Sequence, residues 1–196
     1  MKKHEHSGLS RKVFEDPEAV LVAAGLAKGA KVLIDIGSGT GYLAVAAAGL
    51  MGSGSKVYAF DIHQRSVDEL KAELSQNGIV NVEPVLADAS AGLPLPKATA
   101  DICLLSNVLH GFVANSELDS VIKNVNAVLK EEAKLILIDF KKSASPFGPP
   151  MDIRLSSDEA ESAVSPYGYQ AEKYFEAGPY HYGITLKRIN LQDRRC

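Results

Sequence analysis

Apolar and polar residues are grouped along this chain in alternating blocks. Short apolar runs at 31–36, 56–60, 82–87, 101–105 and 134–140 are each stopped by glycine, charged or polar residues. Their length and near-continuous apolarity predict strands covered on both faces. Between them the spacing becomes helical. Asp16-Pro17 reads as an N-cap with proline at the first helical position, opening a helix to about residue 27 that Gly29 ends. The Ala-rich stretch 40–50 suits a helix buried on most sides. Val67, Leu70 and Leu74 mark one face of another helix, with Gly78 at its C-cap. Leu118, Val121, Ile122, Val125 and Leu129 form a helical stripe. Pro84 places the third strand at a sheet edge. Ser156 and Glu159 have capping-box spacing and open a late helix. Two last strands, 170–175 and 182–189, flank Gly178-Pro179. So short a turn cannot join parallel neighbours. The predicted architecture is therefore α/β: a mostly parallel seven-stranded sheet, helices on both faces, and an antiparallel last strand.

Composition narrows this picture. At about 150 residues per domain, the 196 residues make a single domain spanning 1–196. Its N-terminal arm is 1–16, and the proline-rich stretch 141–152 (Pro146, Gly148, Pro149, Pro150) is a lid loop. Twenty-one Lys and Arg against twenty-four Asp and Glu leave a formal charge of −3. That argues against a nucleic-acid partner, whose phosphates favour a basic excess. Cys103 and Cys196 form no Cys-x-x-Cys pair, so neither a zinc ribbon nor a redox dithiol is expected. No apolar h-region follows the first charges, and no stretch is long enough to span a bilayer. A cytoplasmic setting is the expectation, and the oligomeric state is left open.

The chemistry concentrates at the strand ends. The first strand runs into Asp35-Ile36-Gly37-Ser38-Gly39-Thr40-Gly41, and an apolar helix follows. A dinucleotide turn wants a small residue at the sixth position of Gly-x-Gly-x-x-Gly, where this chain has Tyr42. The loop is Gly-x-Gly-x-Gly behind an acidic residue. Asp61 closes the second strand and Asp88 the third. One Asp at a strand end is commonly a turn or helix cap. Three such acids beside a glycine loop, at the carboxyl ends of parallel strands, converge where open α/β sheets bind ligands.

This pattern resembles the S-adenosylmethionine loop of class I methyltransferases, whose Rossmann-like fold it implies for nearly the whole chain, from about Val13 to Ile189. The resemblance assigns Asp35, Gly37, Ser38, Gly39 and Gly41 to cofactor binding. Asp61 takes the ribose diol, and the adjoining Ile62 is a further cofactor-binding position. Asp88 receives the adenine amine, and the backbone of Ala89 faces the ring. S-adenosylhomocysteine is the implied product. The chain looks like the small stand-alone proteins grouped with ubiquinone/menaquinone-biosynthesis C-methyltransferases. In a prokaryotic subset of these, strand five ends in Asp-aromatic-Lys-Lys and a Gly-Pro-Pro loop follows, as in Asp139-Phe140-Lys141-Lys142 and Gly148-Pro149-Pro150 here. The resemblance names no acceptor.

Past the fourth strand, Asn107 stands where the family meets the methionine end of the cofactor. His110 is the candidate general base, because imidazole titrates near neutrality; packing under the following helix is its other use. No residue near His110 in sequence is an evident carboxylate partner for the imidazole. That favours a site that merely aligns an already reactive nucleophile. His4 and His6 suit adventitious metal binding, and His63 suits a helix cap. His181 and the tyrosines 167, 169, 174, 180 and 182 serve either core packing or a substrate pocket. Lys141 and Lys142 are either solvated or attract an anion. No Asn/Asp-Pro-Pro-Tyr/Phe follows strand four, which argues against base-flipping amino-methyltransferases. One internal cysteine is too few thiolates for arsenite. Asn107 and Asp139 are too sparse for a cation-dependent catechol site, so no metal is expected.

The expected activity is methyl transfer from S-adenosylmethionine to a small-molecule acceptor. The rival readings are a binding or regulatory module of the same fold without turnover, and a nicotinamide-dependent reductase, which Tyr42 disfavours.

Overall fold

A computed structural model describes residues 14–26 and 29–189 of the chain. Expectations on His4, His6, Cys196 and most of the N-terminal arm lie outside them.

Helix α1 (Pro17–Ala23) opens as expected, with Asp16 Oδ1 accepting from the backbone N–H of Ala19 at 2.9 Å. It ends earlier than the glycine at 29 predicts. Gly25 takes the left-handed conformation (φ 83°), and Leu26 N–H returns to Leu21 O at 2.9 Å. That six-to-one bond is a Schellman stop, satisfied at the first available glycine. Strand β1 (Val32–Ile36) follows, then α2 (Tyr42–Met51), β2 (Lys56–Asp61), α3 (Gln64–Asn77), β3 (Val82–Leu86) and β4 (Ala100–Ser106). Gly78 caps α3 at φ 65°, as its position predicts. The short helix α4 (Leu109–Ala114) has no apolar stripe of its own in the sequence, and α5 (Leu118–Val128) carries the expected one. Strand β5 (Leu129–Phe140) is five residues longer than the run 134–140, extended through a bulge opposite β4 between Ala100 and Ile102. A 3-10 turn (Met151–Ile153), α6 (Ser157–Val164), β6 (Tyr169–Glu176) and β7 (His181–Arg188) complete the order. The capping box of α6 is formed on both sides by Ser156 and Glu159.

The seven strands lie in the order β3-β2-β1-β4-β5-β7-β6. Neighbours from β3 to β5 are parallel, and β7 runs antiparallel to β5 and β6. The expected sheet is therefore the one observed, with Pro84 on the edge strand. Period-two alternation splits the central strands between two cores. Cys103 and Leu105 of β4 join Leu135 and Leu137 under α5, whereas Ile102 and Leu104 join Ile136 and Ile138 beneath α1, α2 and α3. Two buried faces explain why these strands read as continuous apolar runs. The chain goes outward from β1 to β3, then returns to lay β4 beside β1. That reversal opens a crevice at the carboxyl ends of β1 and β4.

Candidate active site

The glycine loop leaves β1 at this crevice. Gly37, Gly39 and Gly41 all have left-handed backbones, at φ 71°, 56° and 82°. A Cβ on Gly37 would lie 2.5 Å from a Val108 methyl, and one on Gly41 would lie 2.4 Å from Leu70. Two of the three glycines are thus required by packing as well as by conformation. The loop is tied down from β2: Gly37 and Ser38 N–H donate to Phe60 O at 2.8 and 2.9 Å.

Asp61 is 6% exposed and holds two turns at once. Its Oδ2 accepts from Gly39 N–H at 2.7 Å and its Oδ1 from His63 N–H at 2.8 Å. An ionised carboxylate accepts about four hydrogen bonds, so each oxygen keeps capacity for a ligand hydroxyl. His63 occupies the N-cap position of α3, but its side chain makes no capping bond. Asp88 is exposed at the end of β3, and its Oδ1 takes both the N–H and the hydroxyl of Ser90, at 2.8 and 2.7 Å. Both Asp61 and Asp88 therefore do the capping work expected of a strand-end acid, with oxygen capacity left over. Ala89 beside Asp88 is buried. Ile62 and Leu86, at the ends of β2 and β3, are exposed by 54% and 49% and give this corner an apolar surface.

Asp35 is buried, and burial with the neighbouring charge of Asp61 pushes its carboxyl up to about 7. Nearby, Ser38 Oγ and Asn107 Oδ1 are buried without a hydrogen-bond partner. Asn107 holds a left-handed backbone (φ 58°), with its N–H on Ile138 O at 2.8 Å. Buried orphan acceptors are costly and rare unless a ligand supplies the donor. Two such acceptors and a buried carboxyl at one end, an apolar corner with Asp61 and Asp88 at the other, and a glycine backbone between them fit an adenosyl amino acid carrying a ribose and an ammonium group.

A methyltransferase-domain family profile matches residues 27–175. The chain belongs to that family. Its fold is that of the class I S-adenosylmethionine-dependent enzymes. A methyltransferase of Aquifex aeolicus described as dependent on S-adenosylmethionine superposes with a TM-score of 0.81 at 28% identity, covering 90% of this chain and 91% of that one. A putative type 11 methyltransferase of Sulfolobus solfataricus superposes at 0.73 with 27% identity, covering 90% and 94%. The ubiquinone/menaquinone-biosynthesis C-methyltransferase of a Shewanella species (strain ANA-3) is 33% identical over 120 residues. Those residues are 61% of this chain and only 46% of the relative, so the match spans less than half of that protein.

On the other side of the crevice the methyltransferase sequence hid more than it showed. His110, 4% exposed on the first turn of α4, does have a carboxylate partner. Its Nδ1 lies 2.8 Å from Oδ1 and 3.0 Å from Oδ2 of Asp139, which is 29 residues away and 1% exposed at the end of β5. The expectation of an unpartnered imidazole is corrected by the fold, because β5 lies parallel beside β4 and brings its last residues to α4. Only Asp139's position at a strand end could have signalled this.

The remaining candidates divide. Lys141 pairs with Glu176 and Lys142 with Glu159, so neither stands as a lone anion-attracting charge. Tyr169 is a core residue whose hydroxyl donates to Asn126 Oδ1 at 2.5 Å. Tyr182 is buried with an unpartnered hydroxyl. His181 packs against Phe140 and Phe14 at ring separations of 4.1 and 5.0 Å, and burial pushes its imidazole down to about 4. The 141–152 loop is braced by Arg154. Its guanidinium donates to the carbonyls of Pro149, Ser143, Lys141 and Phe147 and lies over the Phe140 ring at 5.2 Å. Among the described residues no helix is long and apolar enough to cross a membrane.

Proposed function

We propose that this chain transfers the methyl group of S-adenosylmethionine to a small-molecule acceptor. When bound, the cofactor supplies an electrophilic methyl on a sulfonium, together with the positive charge that makes it reactive. The chain's own residues bind and align. Asp61 accepts from the ribose hydroxyls with the oxygen capacity that the loop leaves it. Asp88 and the N–H of Ala89 receive the adenine edge, and Ile62 packs against the ring. Asp35, Ser38 and Asn107 surround the amino-acid end, where an ammonium group satisfies the orphan acceptors. Gly37, Gly39 and Gly41 keep the loop backbone close to the ligand. The braced 141–152 strap covers the acceptor side and excludes water, which raises the yield of an in-line displacement.

The observation that carries this reading is the Asp61-tethered glycine loop together with two buried oxygens that have no hydrogen-bond partner, Ser38 Oγ within the loop and Asn107 Oδ1 at the end of β4. The test is turnover. Incubated with S-adenosylmethionine and a deproteinised metabolite extract, the protein should release S-adenosylhomocysteine in an extract-dependent way, and Asp61→Ala should not. Tight cofactor binding without release in any extract would instead assign the chain a binding role.

A further inference from the structure

A second group of buried polar side chains lies on the α4–α6 side of the sheet, apart from the glycine loop. Its centre is Asp139. Besides the imidazole of His110, it accepts the backbone N–H of Phe140 at 2.8 Å and that of His110 at 3.2 Å. An ionised carboxylate offers only acceptors. The network therefore puts the ring hydrogen on Nδ1 of His110, so that proton exchange takes place at Nε2. Tyr182 stands opposite Asp139 in the β5–β7 ladder. Directly paired residues project from the same face, so its ring enters the space beside the pair. Its hydroxyl is buried with no partner, and burial, Asp139 and Glu159 all disfavour its ionisation. Asn107, with its own orphan oxygen, is fixed one residue before Asp139 on β5 through Ile138 O. Among the described residues, Tyr182 interacts electrostatically with Asp139 and Glu159, and His181, on the opposite face of β7, with Asp139, Arg154 and Lys141. The 3-10 turn at the end of the strap packs on α4.

Packing alone does not explain the arrangement. A buried ion-pairing couple costs desolvation that an apolar pair would avoid. A buried hydroxyl with no partner is a further cost, which a ligand oxygen would remove.

We propose that His110, oriented by Asp139, takes a proton from the methyl acceptor, and that the acceptor reacts through a hydroxyl oxygen or an enolisable carbon that carries that proton. This rests on the methyl-transfer reading above. The acceptor's proton moves to Nε2, and the resulting imidazolium is balanced by the Asp139 carboxylate. The bond from the acceptor oxygen or carbon to the methyl group forms as the sulfonium S–C bond breaks, and that electron pair stays on sulfur. His110 then passes the proton to water. Tyr182 donates a hydrogen bond to the acceptor oxygen on which negative charge develops. Asp139 touches no reacting atom and is a positioning residue. A thiolate acceptor would need none of these three groups.

The test combines a spectroscopic and a kinetic reading on the full chain. In protein labelled with ¹⁵N-histidine and saturated with S-adenosylhomocysteine, the neutral His110 ring should carry its hydrogen on Nδ1, and Asp139→Asn should let both tautomers appear. Phenol and pentane-2,4-dione serve as oxygen and carbon acceptors, with thiophenol as the sulfur control. His110→Gln should lower kcat for the first two by about 100-fold or more with KM little changed, and Asp139→Asn should lower it by less. Tyr182→Phe should also lower kcat for these two, with KM little changed. All three variants should bind S-adenosylhomocysteine as the wild type does. An imidazole that carries its single hydrogen on Nε2 overturns the proposal. So does turnover confined to thiophenol, or no turnover of the oxygen and carbon probes by a protein that binds S-adenosylhomocysteine. Failure of the wild type to bind S-adenosylhomocysteine would overturn the methyl-transfer reading itself.

Discussion

The two halves of the crevice are built in different ways. On the β1–β2–β3 side, side chains hold nearby backbone: Asp61 reaches Gly39 across 22 residues and His63 across two, and Asp88 closes its own turn on Ser90. On the β4–β5–β7 side, side chains meet side chains from separate elements. His110 meets Asp139 across 29 residues, and Tyr182 joins them only through the pairing of β7 with β5. Backbone donors in a glycine loop suit one fixed ligand shape, because altering them means refolding the turn. A set of side chains can be exchanged one at a time. We read the first half as the cofactor's cradle and the second as the place where the reaction is specified.

The largest effect separating the halves should come from Gly39→Val. A β-branched residue is strained at a left-handed backbone position, and its bulk would stand in the loop. S-adenosylhomocysteine affinity should fall by about 100-fold or more, with the far-UV circular dichroism nearly unchanged. Normal binding by this variant would make the loop a structural turn only. Next is Asp61→Ala, which removes a charged acceptor and a tether of the loop together. Charge-assisted hydrogen bonds contribute roughly 1.5–3 kcal/mol, so affinity should weaken on the order of 10 to 100 times. Asp139→Asn, across the crevice, should leave it unchanged. Equal losses from both substitutions, read by titration calorimetry, would erase the division between cradle and reaction side.

A smaller effect follows from Asp35. Its carboxyl sits at about 7 in the free protein, raised by burial and by Asp61. A cation bound beside it favours the ionised form, so binding below that pH must release a proton. Affinity for S-adenosylhomocysteine should rise by about tenfold from pH 6 to 8 and then level off. Asp35→Asn should flatten this dependence. In the free protein the sign is opposite: a raised carboxyl stabilises the fold while protonated, so stability falls as pH climbs from the ordinary 3.8 through about 7. Urea unfolding at the two ends of that range checks it. The smallest effect should be that of Lys142→Ala. The pair with Glu159 is solvent-exposed, and such pairs contribute little. Cofactor affinity should not change, and a marked loss would mean that Lys142 reaches into the site.

The same contrast explains what could be read from the chain alone. The strands, their mostly parallel arrangement, the glycine loop and the strand-end acids were legible because each follows from a local pattern. Gly37 to Gly41 are contiguous, and Asp35, Asp61 and Asp88 each end an apolar run. The His110–Asp139 pair was not legible, because it depends on β4 and β5 being neighbours and on a six-residue helix with no stripe of its own. The early stop of α1 was missed for a different reason. Gly25 and Gly29 both permit a left-handed cap, and sequence spacing does not say which one the chain uses. The strap's bracing was hidden too. Arg154 gathers four carbonyls from a segment whose prolines predict only that it is not a helix or a central strand.

The measurement that bears most directly on the central claim is a paired titration of the wild-type protein with S-adenosylhomocysteine and with NAD. Both ligands carry an adenosine, so the comparison asks whether the glycine loop accommodates an amino-acid tail or a pyrophosphate. The account predicts saturable one-to-one binding of S-adenosylhomocysteine, with a release of protons below about pH 7 that disappears in Asp35→Asn, and no measurable heat from NAD. Preferential binding of NAD, or S-adenosylhomocysteine binding with no proton linkage to Asp35, would contradict it.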